Sequence, residues 1–441
     1  MRIGLKSIHI ASYKKLLIFQ VVSHVVSTLH KRWLKEPQFT ADLCIKCNIC
    51  TSACPVMAVT DEFLGPKAVG PQVGRFRHPR HPMPDATVSW CSGCGTCTRV
   101  CPHGVAVAEM NVRAKARVAQ EKGVPLRDQI ISRPEILGRL AAPFAGFANR
   151  GVKQPPIRWL LENALGIDRR APLPAFSQHS FRKQHADRCV ESPEALEPDR
   201  RWVAYFHGCS TNQYEPDLGS LAIRVLEELG CEVILPPQRC CGLPLQSNGL
   251  FDAARKYGES NIESLLPFVR KKIPIVGTST SCILELKHEY RAVLGLSGLN
   301  FDDVAEGCFD VFEFIVDGLW ELLEDRDLKS MPMKILYHPP CQLRSHGIGI
   351  PAFRVLSQVP DLEIVLSDSE CCGIAGTYGV KKERFDVAHK VGQSLFNQVA
   401  DSGVDCVISD SETCRWWISE FTHLPVLHPL EVLASSMGLS H

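Results

Sequence analysis

Cys44-Ile-Lys-Cys47-Asn-Ile-Cys50-Thr-Ser-Ala-Cys54-Pro55 and Cys91-Ser-Gly-Cys94-Gly-Thr-Cys97-Thr-Arg-Val-Cys101-Pro102 are two copies of one run, C-x2-C-x2-C-x3-C-P. That spacing wraps three thiolates around one face of a cubane [4Fe–4S] cluster, and the fourth Cys of each run ligates the other cluster. Cluster one is therefore assigned to Cys44, Cys47, Cys50 and Cys101, and cluster two to Cys91, Cys94, Cys97 and Cys54. Zinc knuckles or disulfides are the competing explanations. Zinc is satisfied by four ligands, commonly as paired C-x2-C, and has no use for four Cys plus Pro, twice. The doubled run points to a protein that moves electrons.

The bulk composition agrees with a folded, multidomain chain. Its 441 residues exceed one ordinary core and suggest two to four domains. With 49 basic against 48 acidic residues there is no nucleic-acid footprint. Twenty cysteines grouped in metal-ligand spacings fit a reducing compartment, not a disulfide framework.

No stretch reaches the roughly 18 consecutive apolar residues of a spanning helix. The nearest, Leu16 to Val26, is interrupted by Gln20 and His24. Lys14 and Lys15 mimic the start of a signal peptide, but neither a small-residue cleavage site nor a twin-arginine pair follows. The periodicity predicts an amphipathic helix from about residue 14 to 35. Ile18, Val22, Val25, Val26, Leu29 and Trp33 share one face; Gln20, Ser23, Ser27, Lys31 and Lys35 share the other. Residues 1–40 carry seven Lys/Arg and one Glu, a net of +6, which suits an anionic membrane surface. Docking on the protein's own body is the alternative.

Residues 41–115 hold the double cluster run, with a long Gly- and Pro-rich connection from Cys54 to Cys91 that suits a helical ferredoxin-type domain. Residues 116–200 form a basic, Pro-rich helical connector, including Pro134, Pro143, Pro155-Pro156, Pro172 and Pro174, expected to cover the ferredoxin-type part and join it to the rest.

Beyond the connector lies an internal repeat. Cys209 pairs with Cys341, Cys240-Cys241-Gly242 with Cys371-Cys372-Gly373, and Cys282 with Cys414, at offsets of 132, 131 and 132 residues (341 − 209, 371 − 240, 414 − 282). A constant offset means a duplicated domain, placed at 201–325 and 326–441. In each copy an apolar run precedes each Cys group, with helical stretches between, so a parallel sheet is expected in each. Sites in such sheets form at the carboxyl ends of the strands, and all three Cys groups sit there. The fold class is α+β multidomain: an N-terminal helical ferredoxin-type domain with two cluster motifs, then two α/β Cys-Cys-Gly domains.

Cys209, Cys240, Cys241 and Cys282, and then Cys341, Cys371, Cys372 and Cys414, are candidate metal or cluster ligands. Soft thiolates select iron–sulfur or zinc, and the glycine after each Cys pair permits φ > 0 and close approach of a bulky cluster. Cys189, Cys231, Cys308 and Cys406 have no counterpart and read as structural. His207 and His338, just before their Cys, are expected to pack or cap, with tuning of a cluster as the alternative. Gly376-Thr377-Tyr378-Gly379-Val380-Lys381-Lys382 lacks the phosphate-loop pattern and is read as shaping the second Cys-Cys-Gly pocket. No G-x-G-x-x-G follows a strand, so no dinucleotide site is expected, and no catalytic residue is assigned.

The Cys-Cys-Gly repeat resembles the iron–sulfur subunits of heterodisulfide reductase, glycolate oxidase, lactate-utilisation proteins and, most of all, the C-subunit family of anaerobic glycerol-3-phosphate dehydrogenase. CIKCNICTSACPV at 44–56, GPKAVGP at 65–71, YHPPCQ at 337–342, CCGIAGTYGVKKERF at 371–385 and SETCRWWI at 411–418 carry the likeness, which runs from about residue 40 to 437. The resemblance implies an electron-transfer subunit with two [4Fe–4S] clusters, taking electrons from FAD- or FMN-containing dehydrogenase subunits to the menaquinone pool. It places the chain peripherally on the cytoplasmic face of the inner membrane in anaerobic respiration on glycerol 3-phosphate, with substrate oxidation left to the flavoprotein partner. A subunit of a glycolate or lactate oxidase, or a heterodisulfide-reductase-like subunit acting directly through its Cys-Cys-Gly clusters, is the alternative. Residues 1–40 extend beyond the family pattern. The heterodisulfide-reductase pattern ends in C-x-x-C, whereas Ser279 and Ser411 stand at the matching positions here, leaving four Cys per repeat. Cubane, noncubane and no cluster stay open for the repeats.

Overall fold

The computed structural model describes residues 37–73 and 86–439. The helix expected over 14–35 and residues 74–85 of the Gly- and Pro-rich connection lie outside the described residues. Among the described residues, no helix is long and apolar enough to cross a membrane.

The first part is helical, with no strand among its described residues. Short helices Ile49–Ser52 and Thr96–Arg99 each carry the third Cys of a run, and the chain then enters the helix Val107–Lys122. The two runs curl alike. Lys46 and Asn48 have φ of 65° and 69°, and their counterparts Gly93 and Gly95 have 73° and 77°. Left-handed residues between the thiols keep turning the chain about one point. Glycine adopts them freely in the second run, whereas Lys and Asn do so at some cost in the first.

The connector folds as short helices, among them Leu126–Ile131, Pro134–Ala141, Ala145–Gly151 and Pro155–Leu160. Pro134 and Pro155 open their helices at the first turn, where the missing N–H has no intrahelical partner to lose.

Each repeat is a four-stranded parallel sheet. The first holds β1 (Trp202–Tyr205), β2 (Glu232–Ile234), β3 (Ile275–Gly277) and β4 (Cys308–Asp310), in the order β2-β1-β3-β4. The second holds β5 (Met333–Tyr337), β6 (Leu362–Leu366), β7 (Cys406–Ile408) and β8 (Val426–Leu427), in the order β6-β5-β7-β8. Identical order and parallel pairing bear out the α/β duplication. The fourth strand of each sheet was not anticipated; β8 has two residues and is too short to stand out from its surroundings.

The repeats pack into one body. Val203, Tyr205 and Leu221 of the first share a buried core with Ile335, Tyr337, Ile408 and Leu430 of the second. His428 of the second repeat donates from Nε2 to the Thr278 carbonyl of the first, at 3.1 Å. Burial of these side chains contributes on the order of 1.5–3 kcal/mol each, so the two sheets fold as a unit.

The glycines after the Cys pairs have φ of +95° (Gly242) and +102° (Gly373), as expected. What Gly373 makes room for differs from expectation. A Cβ there would lie 2.0 Å from the Ala388 carbonyl oxygen of helix Phe385–Ser402, so the missing side chain admits a helix backbone. Gly376, at φ +62°, faces open space. Gly376→Ala is expected to cost about 1 kcal/mol through backbone strain alone. Gly373→Ala is expected to cost several times more, because backbone must move. Thermal denaturation under anaerobic conditions compares the two; equal losses would contradict the packing role.

Candidate metal centres

Sixteen of the twenty cysteines gather at three places. Cys44, Cys47, Cys50 and Cys101 line one small cavity with Ile45, Ile49 and Val105. The fourth thiol comes from the second run, 57 positions from Cys44 (101 − 44). The Val105 amide donates to Cys101 Sγ at 3.4 Å. Cys50 is buried and Cys47 exposed.

The second group is Cys91, Cys94 and Cys97 with Cys54. Burial pushes the Cys54 thiol up to about 12, and Cys94 and Cys91 add to the rise. Burial likewise raises Cys97 well above its usual range, with Cys91, Cys94 and Cys54 among the groups that reinforce it. Mutual repulsion of this kind places the four thiols close to one another. Lys115 reaches into this region and donates from Nζ to the Cys91 carbonyl at 3.0 Å. Burial lowers its pKa to about 8.

The third place joins the two repeats. Cys209, Cys241 and Cys282 of the first and Cys341, Cys371, Cys372 and Cys414 of the second line a single cavity. Each group follows the carboxyl end of a strand. Cys240 lies against this set, its Sγ donating to Cys209 Sγ at 3.5 Å. In the second repeat Cys372 Sγ donates to Cys414 Sγ at 3.0 Å, and the Gly373 amide to Cys371 Sγ at 3.3 Å. Cys94 of the second ferredoxin-type group lines the same cavity, and it is among the groups that raise the Cys341 thiol. Ala375 and Gly376 are also in the wall, so the Gly-rich segment does shape this pocket. Cys189, Cys231, Cys308 and Cys406 line none of these cavities.

The two halves of the shared cavity differ. In the second, ligand atoms of His338, Cys372 and Cys414 lie within 4.8 Å of one another. The Cys414 thiol is held down to about 6, first by its hydrogen bond with Cys372 and then, against burial, by His338. His338 shares a 3.2 Å hydrogen bond between Nδ1 and Ser367 Oγ, and its buried Nε2 has no hydrogen-bond partner. The counterpart His207 donates from Nδ1 to the Gly208 carbonyl at 2.7 Å and packs edge-on against Phe181. Burial lowers its pKa to about 4. One histidine sits among thiols, and the other packs.

In the first half stand two acids that sequence reading missed. Glu285 is fully buried and Glu289 lines the cavity wall. Gln246 Nε2 donates to Glu285 Oε2 at 3.2 Å and also to Glu289 Oε2. Trp417 and Phe421 occupy the corresponding places one repeat later. A Glu inside the otherwise apolar Cys282-Ile-Leu-Glu285-Leu was the available cue. The connector also reaches in: the Cys240 amide donates to Glu135 Oε2 at 3.1 Å. Asp128 pairs with Lys381 at 2.7 Å, and Lys381 donates to Asn248 Oδ1 at 2.7 Å.

Sets of converging soft thiols fit iron–sulfur clusters. A cluster bound there supplies one-electron storage and the positive charge that lets buried thiols ionise.

Comparison with known proteins agrees with this donor chemistry. The 4Fe-4S dicluster domain family matches residues 40–105, and the cysteine-rich domain family matches twice, at 203–287 and 335–419. The C-subunit of anaerobic glycerol-3-phosphate dehydrogenase from Escherichia coli (strain K12) is 38% identical over 400 residues, covering 90% of this chain and 98% of that protein. The B-subunit of fumarate reductase (CoM/CoB) from Methanothermobacter marburgensis is 26% identical over 388 residues, 86% of this chain and 67% of that one. The D-subunit of dihydromethanophenazine:CoB–CoM heterodisulfide reductase from Methanosarcina barkeri is 23% identical over 449 residues, 90% and 94% of the two chains.

Burial raises Glu289 to about 7, against about 4.3 for an unfolded Glu. The unfolded chain ionises first, so this group's contribution to stability falls as pH rises from about 4 to about 7 and is level above. Glu289→Gln removes that dependence. Thermal denaturation should show the variant gaining on the wild type between about pH 5 and pH 7.5; parallel pH profiles would contradict the raised pKa.

Proposed function

The chain belongs to the C-subunit family of anaerobic glycerol-3-phosphate dehydrogenase, a family of iron–sulfur proteins, and on that premise we propose that it carries electrons from the flavin of a partner dehydrogenase to menaquinone. The observation that carries this reading is continuity. Cys94 belongs to the second ferredoxin-type group and also lines the cavity shared by both Cys-Cys-Gly sets.

In this reading Cys44, Cys47, Cys50 and Cys101 hold one [4Fe–4S] cluster, and Cys91, Cys94, Cys97 and Cys54 hold the other. Cys209, Cys240, Cys241 and Cys282, with Cys341, Cys371, Cys372 and Cys414, hold one or two more. The working segments are 1–40, 41–115, 116–200, 201–325 and 326–441. Electrons enter at the first group, where Cys47 is exposed and Leu43, Ile45 and Ile49 stand at 45%, 62% and 43% exposure for a partner to cover. They leave from the Cys-Cys-Gly side. Glycerol 3-phosphate oxidation belongs to the partner, and the complex sits peripherally on the cytoplasmic face of the inner membrane.

Two outcomes test the reading. Cys44→Ser and Cys101→Ser should damage the same cluster, seen by EPR of reduced protein; a Cys101→Ser spectrum matching Cys91→Ser would overturn the crossed assignment. In stopped-flow with the flavoprotein partner, Cys341→Ser should slow reoxidation by a menaquinone analogue while the partner's flavin is reduced by substrate at the normal rate. Turnover of glycerol 3-phosphate by this chain alone, without flavin, would contradict the electron-transfer role.

A further inference from the structure

The connector carries a surface that the cysteine chemistry does not use. Leu140, Phe144, Phe147, Ile157, Trp159 and Leu160 are exposed at 67, 66, 79, 40, 55 and 52%. They are six of the fourteen large apolar side chains that stand exposed among the described residues, yet they fall within one short stretch. Leu140 lies at the end of helix Pro134–Ala141, Phe144 closes the tight turn Ala142–Phe144, and Phe147 lies in helix Ala145–Gly151, so three consecutive short pieces each expose a large apolar side chain. Concentrated exposure of this kind marks an interaction surface.

The stretch is held firmly, with these side chains outward. On its inner side a Cβ at Gly138 would lie 2.5 Å from the Gln213 side chain. Tyr214 donates its hydroxyl to the Pro134 carbonyl at 2.8 Å. The Asn149 amide both donates to the Phe176 carbonyl and accepts from its N–H, at 2.9 and 2.8 Å. The segment is therefore docked on the first repeat through polar and small residues, and its large apolar side chains have been left facing solvent.

Charge selects among occupants. From Ile136 to Leu161 there is no Asp or Glu, while Arg139, Arg150, Lys153 and Arg158 are present. Arg158 is committed to the carbonyls of Asp168 and Arg169, at 3.1 and 3.0 Å; Arg139, Arg150 and Lys153 are exposed. The chain's own residues 1–40 have the same sign, at +6, and would be repelled. Exposed aromatic and aliphatic side chains with exposed cations between them along the chain suit the interfacial zone of an anionic bilayer. We infer that the connector segment whose exposed side chains include Leu140, Phe144, Phe147, Ile157, Trp159 and Leu160, together with Arg139, Arg150 and Lys153, docks this protein onto anionic membrane lipid. The inference rests on the peripheral-membrane reading above and gives it a place.

The test uses the full chain, isolated anaerobically with its clusters, and vesicles of phosphatidylcholine with or without about 30% phosphatidylglycerol. Wild type should co-sediment with the anionic vesicles and release in high salt. The F144D/F147D double variant should lose roughly tenfold or more of that partition, with iron content and circular dichroism unchanged. Equal partition of variant and wild type would overturn the proposal. Brominated acyl chains give a second readout, which survives if the double variant folds poorly. Quenching of tryptophan emission should drop in Trp159→Phe; a drop in Trp33→Phe alone would overturn this surface while leaving membrane binding intact. No vesicle binding by wild type would defeat the peripheral reading itself. Loss of reduction by the flavoprotein partner in lipid-free solution, with vesicle binding unchanged in F144D/F147D, would assign the segment to the partner and overturn the lipid proposal.

Discussion

Crowding thiols out of water works against the thiolate, which is the form that binds metal, and the rest of this fold is arranged around that cost. Cys54, Cys97, Cys209 and Cys241 are all driven upward, with burial among the main causes. Left as bare thiols, such groups repel one another on ionising. Bound to iron, they are held together. The left-handed residues of both ferredoxin-type runs, the parallel sheets that end in cysteine loops, and the glycines that admit helices behind those loops all converge sulfur on a few points. Cluster binding and folding are in that sense one event.

Duplication gave two similar sheets but not two similar halves of the cavity. His338 stands with Cys372 and Cys414, whereas His207 turns to the Gly208 carbonyl. The first half has the buried acids Glu285 and Glu289 where the second has Trp417 and Phe421. The imidazole stands beside two thiols, whereas burial pushes the two carboxyls of the first half toward their neutral form. The shared cavity therefore has two chemically different halves, an imidazole among thiols on one side and buried carboxyls on the other. Cys94 lines the wall between that cavity and the ferredoxin-type part, so the second ferredoxin-type group adjoins the shared cavity.

Much of this was legible in the sequence. The spacing of the two Cys runs, the constant repeat offset and the strand-then-cysteine order each rest on local chemistry, and they located all sixteen candidate ligands and the sheets beneath them. What was not legible depended on packing between distant segments. Nothing in Val426-Leu427 announces a strand until β7 is beside it. Gly373 was rightly expected at positive φ, but its neighbour proved to be the Ala388 carbonyl. Glu135 and Asp128 sit in a connector whose composition suggests only a spacer, and their partners, Cys240 and Lys381, are far along the chain. The meeting of Cys94 with both Cys-Cys-Gly sets is likewise a tertiary fact.

The central claim is that these thiols hold iron–sulfur clusters in an electron-carrying series, and metal analysis of the anaerobically isolated full chain tests it most directly. Iron and acid-labile sulfide, measured together with the EPR spectrum of reduced protein, should come in matching amounts and exceed what two cubane clusters hold. Stoichiometric zinc with no sulfide would contradict the account.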